Sequence, residues 1–395
     1  MKQQTSRRSF LQQMTGVVML SRVAHGRSAT REDGAALVRR VDRARTSRLA
    51  AEAMDVRVAT VTSFAAQRSP GGPHDFYSEA DYFWPNPKNL SGPYVEVDGR
   101  SNPDNFFDHR KAMLSMAMAV PALTAGWVVA GKKAYAARAV EHLRAWFVTP
   151  ATRMTPNLEY AQAVRQGVSG RSWGIIDTLH LAEVARAASV LEQRKAIGSE
   201  DIAGVAAWFR EYLDWLQHSK KGMAERDASN NHAVAWALQA AEFARLTNDE
   251  ATRQAVRERY QTVLIEQMSN DGSYPRELKR TKPYGYSIFN FDVMAGLAWS
   301  LGGAPEIQWA TTDGRGMCRA AEFLYPYLKD KAGWPFAKDV QHFDAWPVRS
   351  PGLLFCGLAC GREEYLTLWE KLDPDPKDAE VNRNFPIRQP LLWMM

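Results

Sequence analysis

The sequence has little of several features that would define a fold class at once. Its 3 cysteines in 395 residues are too few for a disulfide-built scaffold, and no two of them form the CxxC pair of a zinc site. Hydrophobic alternation of the strand type is scarce. No internal repeat is clear enough to give the number of helical pairs. We expect Cys318, Cys356 and Cys360 to be buried, inert thiols, of which at least one is unpaired because the count is odd.

A large excess of positive charge is also missing once the N-terminus is set aside. The formal net charge of +6 includes four cations and no acid in the first 26 residues. Without Lys2, Arg7, Arg8 and Arg22, Lys plus Arg falls from 50 to 46 against 44 acids, so the balance is +2. This balance argues against a nucleic-acid partner. With 45% apolar and 24% charged residues, the chain is globular and not disordered.

The N-terminus is similar to a twin-arginine export signal. Paired arginines in Ser6–Leu11 precede a short apolar stretch, Met14–Leu20, and the small residues of Ala24–Gly26. The alternative is a basic N-terminal tail. The pattern predicts a signal peptide over residues 1–26 and a mature protein of one domain, 27–395, which is periplasmic or secreted.

An uncharged stretch of 20 residues, Ala112–Gly131, has about the length of a membrane span. It contains Pro121, many small residues and only moderate hydrophobicity. We therefore predict two abutting buried helices here and no membrane span.

The rest of the chain falls into three parts. Residues 27–55 are charged and Ala-rich, which favours a helix. Residues 64–107 hold six prolines and many aromatic residues, so we expect an irregular, ordered segment that covers a surface or a cleft. From about 108 to 361 the apolar spacing is helical. The predicted helices are Lys132–Val148, Gly174–Leu191, Ile202–Leu216, Asn231–Leu246, Ala251–Met268, Tyr286–Leu301, Gly316–Leu328 and Leu353–Cys360.

Helices of two kinds alternate along this part. Asn231–Leu246 is apolar nearly all round, whereas its neighbours have charged outer faces. The alternation predicts an all-α fold with two concentric layers, an (α/α) toroid, with a cleft where the inner helices begin. The alternative is an irregular helical bundle.

The first motif that suggests chemistry is Ser229-Asn230-Asn231-His232. Ser and Asn are favoured N-caps, so the motif starts an inner helix, whose N-terminus attracts anions. A histidine in the first turn is held toward its neutral form, which can accept a proton. The alternative is a helix cap followed by a core histidine packed against Trp236.

The second motif is the segment from Tyr274 to Asn290. Four cations and three tyrosines lie within 13 of its residues. Neighbouring cations favour the phenolate, so this pattern predicts a lowered tyrosine pKa. Arg280 can bind a carboxylate through two parallel hydrogen bonds. The alternative is a basic surface loop with structural tyrosines.

Together the two motifs resemble the alginate lyase family of α/α-toroid polysaccharide lyases, which act on uronate polymers. The resemblance lies in Asn-Asn-His at a helix start and, about 50 residues later, Glu-Leu-x-Arg with a tyrosine, and it extends over roughly residues 80–360. Further similar stretches are Pro103–Arg110, Asn157–Gln162, Gly170–Thr178 and Val348–Pro351. The resemblance implies a catalytic quartet of Asn231, His232, Arg280 and Tyr286, and no cofactor or metal.

One spacing departs from the mannuronate-specific branch of that family. There the arginine and the tyrosine are seven residues apart, whereas Arg280 and Tyr286 are six apart. In this respect the sequence is closer to a branch that includes glucuronan lyases. The spacing also leaves Tyr284 as a second candidate for the catalytic tyrosine.

The implied reaction is β-elimination at a 4-linked uronate. Asn231 and Arg280 neutralise the carboxylate, His232 or Tyr286 removes the C5 proton, and Tyr286 protonates the departing O4. The anionic polysaccharide is the expected partner. The further substrate-binding residues implied are His109, Arg110, Gln162, Arg171, Trp173, Asn230, Tyr284 and Arg349, each of which also has a structural interpretation.

Two other functions compete with the lyase. A glycoside hydrolase on a similar toroid would need two carboxylates beside one bond, and the candidates are Asp177, Asp271 and Glu277. A non-catalytic polyuronate-binding protein would keep the arginines and aromatic residues without needing His232 or Tyr286.

Overall fold

The computed structural model describes residues 31–395, so the predicted signal peptide lies outside the described residues. This part of the chain is mainly helical. The α-helices are α1 Arg31–Met54, α2 Asp108–Ala130, α3 Lys133–Leu143, α4 Leu181–Gln193, α5 Ser199–His218, α6 Lys220–Arg226, α7 Asn231–Leu246, α8 Glu250–Thr262, α9 Pro275–Leu278, α10 Pro283–Gly302, α11 Ala304–Gln308, α12 Met317–Lys329, α13 Pro351–Cys360, α14 Glu363–Lys371, α15 Ala379–Arg383 and α16 Pro390–Trp393.

The helices form two layers. Helices α2, α4, α7, α10 and α13 pack side by side in an inner ring, and α1, α3, α5, α8, α12 and α14 pack against them from outside. The inner helices α7 and α10 are buried along almost their whole length, as their apolar sequences require. The predicted all-α toroid is confirmed.

The uncharged stretch after Lys111 differs from its prediction. It forms one continuous helix, α2, with Pro121 inside it, and not two abutting helices. By length and composition alone α2 could cross a membrane, but 67% of its most apolar window is buried. Packing against α1, α3 and α4 stabilises the helix and compensates for the hydrogen bond that Pro121 cannot make.

The segment 64–107 is irregular, as predicted. Its strands are β1 Tyr77–Glu79, β2 Phe83–Trp84 and β3 Val95–Glu96, and a later strand, β4 Tyr160–Ala163, pairs in parallel with β1. Strands β2 and β3 pair with each other in an antiparallel hairpin. The pairing of β1 with β4 joins the segment to the chain before α4, and residues of the segment line the candidate site.

The C-terminus fills the toroid. Trp393 is fully buried, and its carbonyl accepts a hydrogen bond of 2.8 Å from the indole of Trp299 on α10. Glu183 on α4 accepts bonds from the backbone N–H groups of Arg388 and Gln389. The last residues therefore join inner helices that are distant in sequence.

The cysteines only partly follow their prediction. Cys318 and Cys360 form a disulfide between α12 and the end of α13, so the expectation of inert thiols is wrong for both. Cys356 is buried and free, and burial raises the pKa of its thiol. Cys318 is 42 residues from Cys360, and only the packing of the two helices brings them together.

Candidate active site

A cavity of about 800 Å³ opens where α7 and α10 begin. The segment 64–107 forms one wall of it, with Asp81, Tyr82, Phe83, Glu96 and Asp98 among the lining residues. Residues 379–384, near the C-terminus, line another part. All four residues of the predicted quartet, Asn231, His232, Arg280 and Tyr286, line this cavity.

Asn231 connects the two sequence motifs through Glu277. Its backbone N–H donates to Glu277 Oε1 at 2.9 Å, and its side-chain Nδ2 donates to Oε2 at 2.7 Å. Burial raises the pKa of Glu277, against the opposing effect of these bonds. The first N–H of α7 is therefore capped by the protein's own carboxylate, so that group is not available to a substrate anion as the sequence suggested. One amide hydrogen and the side-chain oxygen of Asn231 remain available to a substrate.

His232 faces the cavity and is held from behind. Its Nδ1 lies 2.6 Å from Oε1 of the fully buried Glu225. The indole of Trp173 lies beside the imidazole, with ring centroids 5.8 Å apart. His232 is therefore not a core histidine packed only against Trp236, which was the alternative interpretation.

Arg280 is already paired in this structure. Its Nη2 and Nε donate to the two oxygens of Asp98 at 2.6 and 3.2 Å. Although burial opposes the charge, these bonds raise the pKa of Arg280. The expected two-bond grip on a substrate carboxylate is therefore occupied by Asp98, which holds the guanidinium 4.5 Å from the ring centre of Tyr286.

The hydroxyl of Tyr286 lies among polar groups at the wall of the cavity. It is 2.9 Å from the hydroxyl of Tyr82 and 3.5 Å from Nη2 of Arg280. Burial raises the pKa of Tyr286 and outweighs the opposing effect of Arg280. The sequence-based expectation of a lowered tyrosine pKa is thus wrong, because burial destabilises the phenolate more than the nearby cation stabilises it.

Tyr284 does not line the cavity. It is fully buried against Trp334 and Phe343, and its hydroxyl donates to the carbonyl of Tyr327 at 2.9 Å. Its suggested roles as a rival catalytic residue and a substrate ligand are wrong, because two residues along a helix place a side chain on a different face.

Four predicted ligands line the cavity, and of these only Gln162 has both ends of its side-chain amide hydrogen-bonded, to Arg171 and Asp177. Arg171 makes no ion pair with an acid in residues 31–395, and it contacts Gln162 Oε1 at 3.0 Å and the ring of Trp173 at 4.8 Å. Trp173 is 43% exposed. Asn230, the N-cap residue of α7, makes no side-chain capping bond. Arg171, Gln162, Trp173 and Asn230 thus present a cation, two amides and an aromatic face to the cavity.

Arg110 lines the cavity as part of an ion-pair network. Its guanidinium donates to Asp81 at 2.6 and 2.8 Å and to Asp177 at 3.3 Å. Arg383 of α15 also pairs with Asp81. The network shows Arg110 in a structural role at the cavity wall, in agreement with the structural interpretation of this residue.

His109 and Arg349 lie away from the cavity, and the prediction that they bind substrate is wrong. His109 Nδ1 accepts from the backbone N–H of Tyr77 at 3.0 Å, and its Nε2 lies 2.9 Å from the carbonyl of Phe64. Arg349 pairs with Asp42 and donates to the carbonyl of Glu370. Both side chains use their polar atoms to hold the fold, so none is left for a ligand.

Sequence reasoning missed the residues that support the quartet. Tyr82 and Asp98 are 204 and 182 residues from their partners in sequence, and Glu225, seven residues before His232, lies on a different helix, α6. Nothing in their own neighbourhoods marks them. Glu277 belongs to the Glu-Leu-x-Arg motif, which was the one available signal for it. Within residues 31–395 no group of three or more His, Cys, Asp or Glu is arranged to hold a metal ion.

A two-layered helical toroid with this Asn-His and Arg-Tyr cavity defines a polysaccharide lyase. The chain belongs to the alginate lyase family, whose model matches residues 60–334. No curated protein matches the chain.

Solved structures agree in fold. An alginate lyase from Bacteroides ovatus is 27% identical with a TM-score of 0.76, over 94% of this chain and 99% of that one. Alginate lyase A1-III from Sphingomonas species A1 is 15% identical with a TM-score of 0.53, over 92% and 95% of the two chains. A variant of A1-III complexed with a tetrasaccharide is 14% identical with a TM-score of 0.52, over 79% and 83%.

Proposed function

We propose that this chain cleaves a 4-linked uronate polymer of the alginate (polymannuronate) or glucuronan type by β-elimination. The observation that carries the proposal is that Asn231, His232, Arg280 and Tyr286 all line one cavity. Family membership and the alginate lyase from Bacteroides ovatus support an alginate-like substrate. The spacing of Arg280 and Tyr286 supports glucuronan as the second candidate.

The reaction removes a proton from C5 and breaks the bond between C4 and O4. A C4–C5 double bond forms, and the departing O4 receives a proton. The C5 proton is weakly acidic because it is α to a carboxylate, so the charge that develops on that carboxylate must be stabilised. Arg280 supplies positive charge, and the remaining amide hydrogen of Asn231 supplies a donor.

The surroundings of His232 and Tyr286 support different roles for them. His232 has Nδ1 directed at Glu225, which leaves Nε2 as the candidate acceptor for the C5 proton. Tyr286 keeps its proton at neutral pH because burial raises its pKa, so it suits the acid that protonates O4. If Tyr286 performs both steps, proton and leaving group depart from the same face, as the geometry of mannuronate allows.

The ultraviolet absorbance of the unsaturated ends tests this proposal. The purified protein is incubated with polymannuronate, polyguluronate, glucuronan and hyaluronan in parallel, and the Tyr286→Phe variant serves as the inactive control. We expect absorbance to grow with polymannuronate or glucuronan. No growth with any of the four polymers would refute the lyase, and growth with polyguluronate alone would assign proton and leaving group to opposite faces of the sugar.

A glycoside hydrolase is less well supported. Of its three candidate carboxylates, only Asp177 lines the cavity. Asp177 accepts hydrogen bonds from Ser78 at 2.6 Å and from Gln162 at 3.1 Å. Glu277 is buried against Asn231, and Asp271 accepts from its own turn at Ser273. These contacts leave no pair among the three to flank one glycosidic bond.

We also propose that residues 1–26 export the protein by the twin-arginine route to the periplasm or outside the cell. The disulfide between Cys318 and Cys360 supports an oxidising compartment. In a bacterial host with this pathway, we expect the exported protein to lack residues 1–26 and the Arg7→Lys, Arg8→Lys double variant to stay inside. An uncleaved wild-type protein in the cytoplasmic fraction would contradict the proposal.

A further inference from the structure

Glu225 is a buried carboxylate with one partner among the described residues. It is fully buried, and its Oε1 lies 2.6 Å from Nδ1 of His232. Its other oxygen, Oε2, is buried and has no hydrogen-bond partner in the part of the chain that the structure describes. A desolvated carboxylate with half of its acceptors unused costs stability. A purely structural role would be served better by a neutral side chain.

The other buried acids near the cavity are satisfied differently. Glu277 accepts from both nitrogens of Asn231. Glu380 pairs with Lys282 and Arg383, and Asp81 with Arg110 and Arg383. Only for Glu225, among these carboxylates, is an imidazole the single partner. The fold therefore retains a costly charge at the one place where it touches His232.

We infer that Glu225 is a positioning residue that fixes the tautomer of His232. A carboxylate oxygen accepts a hydrogen bond, so in the neutral imidazole the hydrogen resides on Nδ1 and Nε2 keeps its lone pair. Trp173 lies beside the ring, 5.8 Å between centroids, and limits its rotation. His232 then presents an acceptor to the cavity, and Glu225 stabilises the imidazolium that forms when Nε2 takes a proton. This inference rests on the proposed lyase function for its catalytic consequence, but the tautomer is a property of the protein itself.

The tautomer can be read directly by nuclear magnetic resonance. In protein labelled with ¹⁵N-histidine, long-range proton–nitrogen correlations show which imidazole nitrogen carries hydrogen, and His232→Gln assigns the signal. We expect hydrogen on Nδ1 in the wild type and its partial or full transfer to Nε2 in Glu225→Gln. A wild-type His232 with hydrogen on Nε2 alone would overturn the inference, whether or not any variant folds.

Steady-state kinetics give the second measurement. In Glu225→Gln we expect kcat to fall by roughly 10²–10³-fold, within the range that one proton-transfer group contributes, while KM changes less than about threefold. Because a desolvated charge is removed, we expect Tm to stay the same or rise. A kcat within about twofold of the wild type would overturn the inference. A loss of kcat that is accompanied by a large fall in Tm would also overturn the inference, because it would indicate a structural role for Glu225.

A matched control exists elsewhere in the chain. His218 and Asp214 also form a histidine–carboxylate pair, at 3.0 Å, but on the exposed surface of α5. Asp214→Asn should leave kcat and the His232 signal unchanged. If the wild type produces no unsaturated ends from any polymer, the proposed function fails, yet the tautomer measurement still decides whether Glu225 positions His232.

Discussion

Tyr284 and Tyr286 lie two residues apart in the first turn of α10, and a comparison of their surroundings separates structure from chemistry. Tyr284 is enclosed by aromatic rings and gives its hydroxyl to one backbone carbonyl. Tyr286 meets the hydroxyl of Tyr82 and the guanidinium of Arg280 at the cavity wall. The sequence could not rank the two, because both stand in the same cationic segment.

The same contrast holds for two arginines. Arg349 has an acid and backbone carbonyls on its guanidinium, far from the cavity. Arg171 lines the cavity with an amide and aromatic rings around it and no carboxylate within ion-pair distance among residues 31–395. A buried polar group with complete bonding holds the fold, whereas one with bonding capacity left over is ready for a ligand.

The largest expected effect concerns the tyrosines. Tyr286→Phe removes the proposed proton donor for O4, so kcat should fall by about 10²–10⁴-fold while oligosaccharide affinity changes little. Initial rates and calorimetric titration with the same oligosaccharide measure the two quantities.

Tyr284→Phe is the matched control for this variant. It should keep kcat within about twofold but lose about 1 kcal/mol of stability, because the carbonyl of Tyr327 loses its buried donor. If Tyr284→Phe abolishes turnover and Tyr286→Phe does not, the assignment of a structural role to Tyr284 and a catalytic role to Tyr286 is wrong.

Asn231→Ala should come next in size. We expect kcat to fall by about 10²–10³-fold, since the proposed role of its amide is to stabilise charge that develops in the transition state. Binding of an intact oligosaccharide should weaken much less. An unchanged kcat would remove Asn231 from the chemistry and leave it only as the partner of Glu277.

The arginine comparison gives a smaller effect. Arg171→Ala should raise KM about tenfold or more with little change in kcat, because a charge-assisted bond to a substrate carboxylate is lost. Arg349→Ala should leave kinetics unchanged but lower stability by up to about 3 kcal/mol, since Asp42 is left buried without its main partner. Equal kinetic effects in the two variants would refute the distinction.

The smallest effect on activity is expected at Asp292, which does not line the cavity but makes the stability of the protein depend on pH. Asp292 on α10 is fully buried and accepts from the backbone N–H of Gly352 at 3.1 Å, and burial raises its pKa to about 7. In the unfolded chain this carboxyl group releases its proton near pH 4. The stability that protonated Asp292 contributes is therefore fully present below that pH and is lost as the pH rises to about 7.

Asp292→Asn does not titrate at this position. Relative to the wild type, its free energy of unfolding should therefore improve by about 3 kcal/mol between pH 4.5 and pH 7.5. Chemical denaturation at both pH values measures the difference. If the variant and the wild type differ by the same free energy of unfolding at both pH values, the raised pKa of Asp292 is contradicted.

The fold was readable from the sequence because helical spacing and the all-round apolar character of α7 are local signals. The continuity of α2 was not, since packing outweighed the local preference of Pro121 to end a helix. The quartet could be named from two motifs, and the structure brings all four residues to one cavity. Glu225 and Asp98 could not be found, because the contact of Glu225 depends on how α6 meets α7, and that of Asp98 joins residues 182 apart in sequence.

The proposed reaction requires one sugar to be held between α7 and the start of α10. A crystal structure of Tyr286→Phe with a uronate tetrasaccharide tests it directly. We predict one uronate carboxylate beside Asn231 and Arg280, its C5 hydrogen directed at Nε2 of His232, and its O4 beside residue 286. A tetrasaccharide bound in this cavity with its scissile bond out of reach of both His232 and residue 286, or bound elsewhere, would contradict the account.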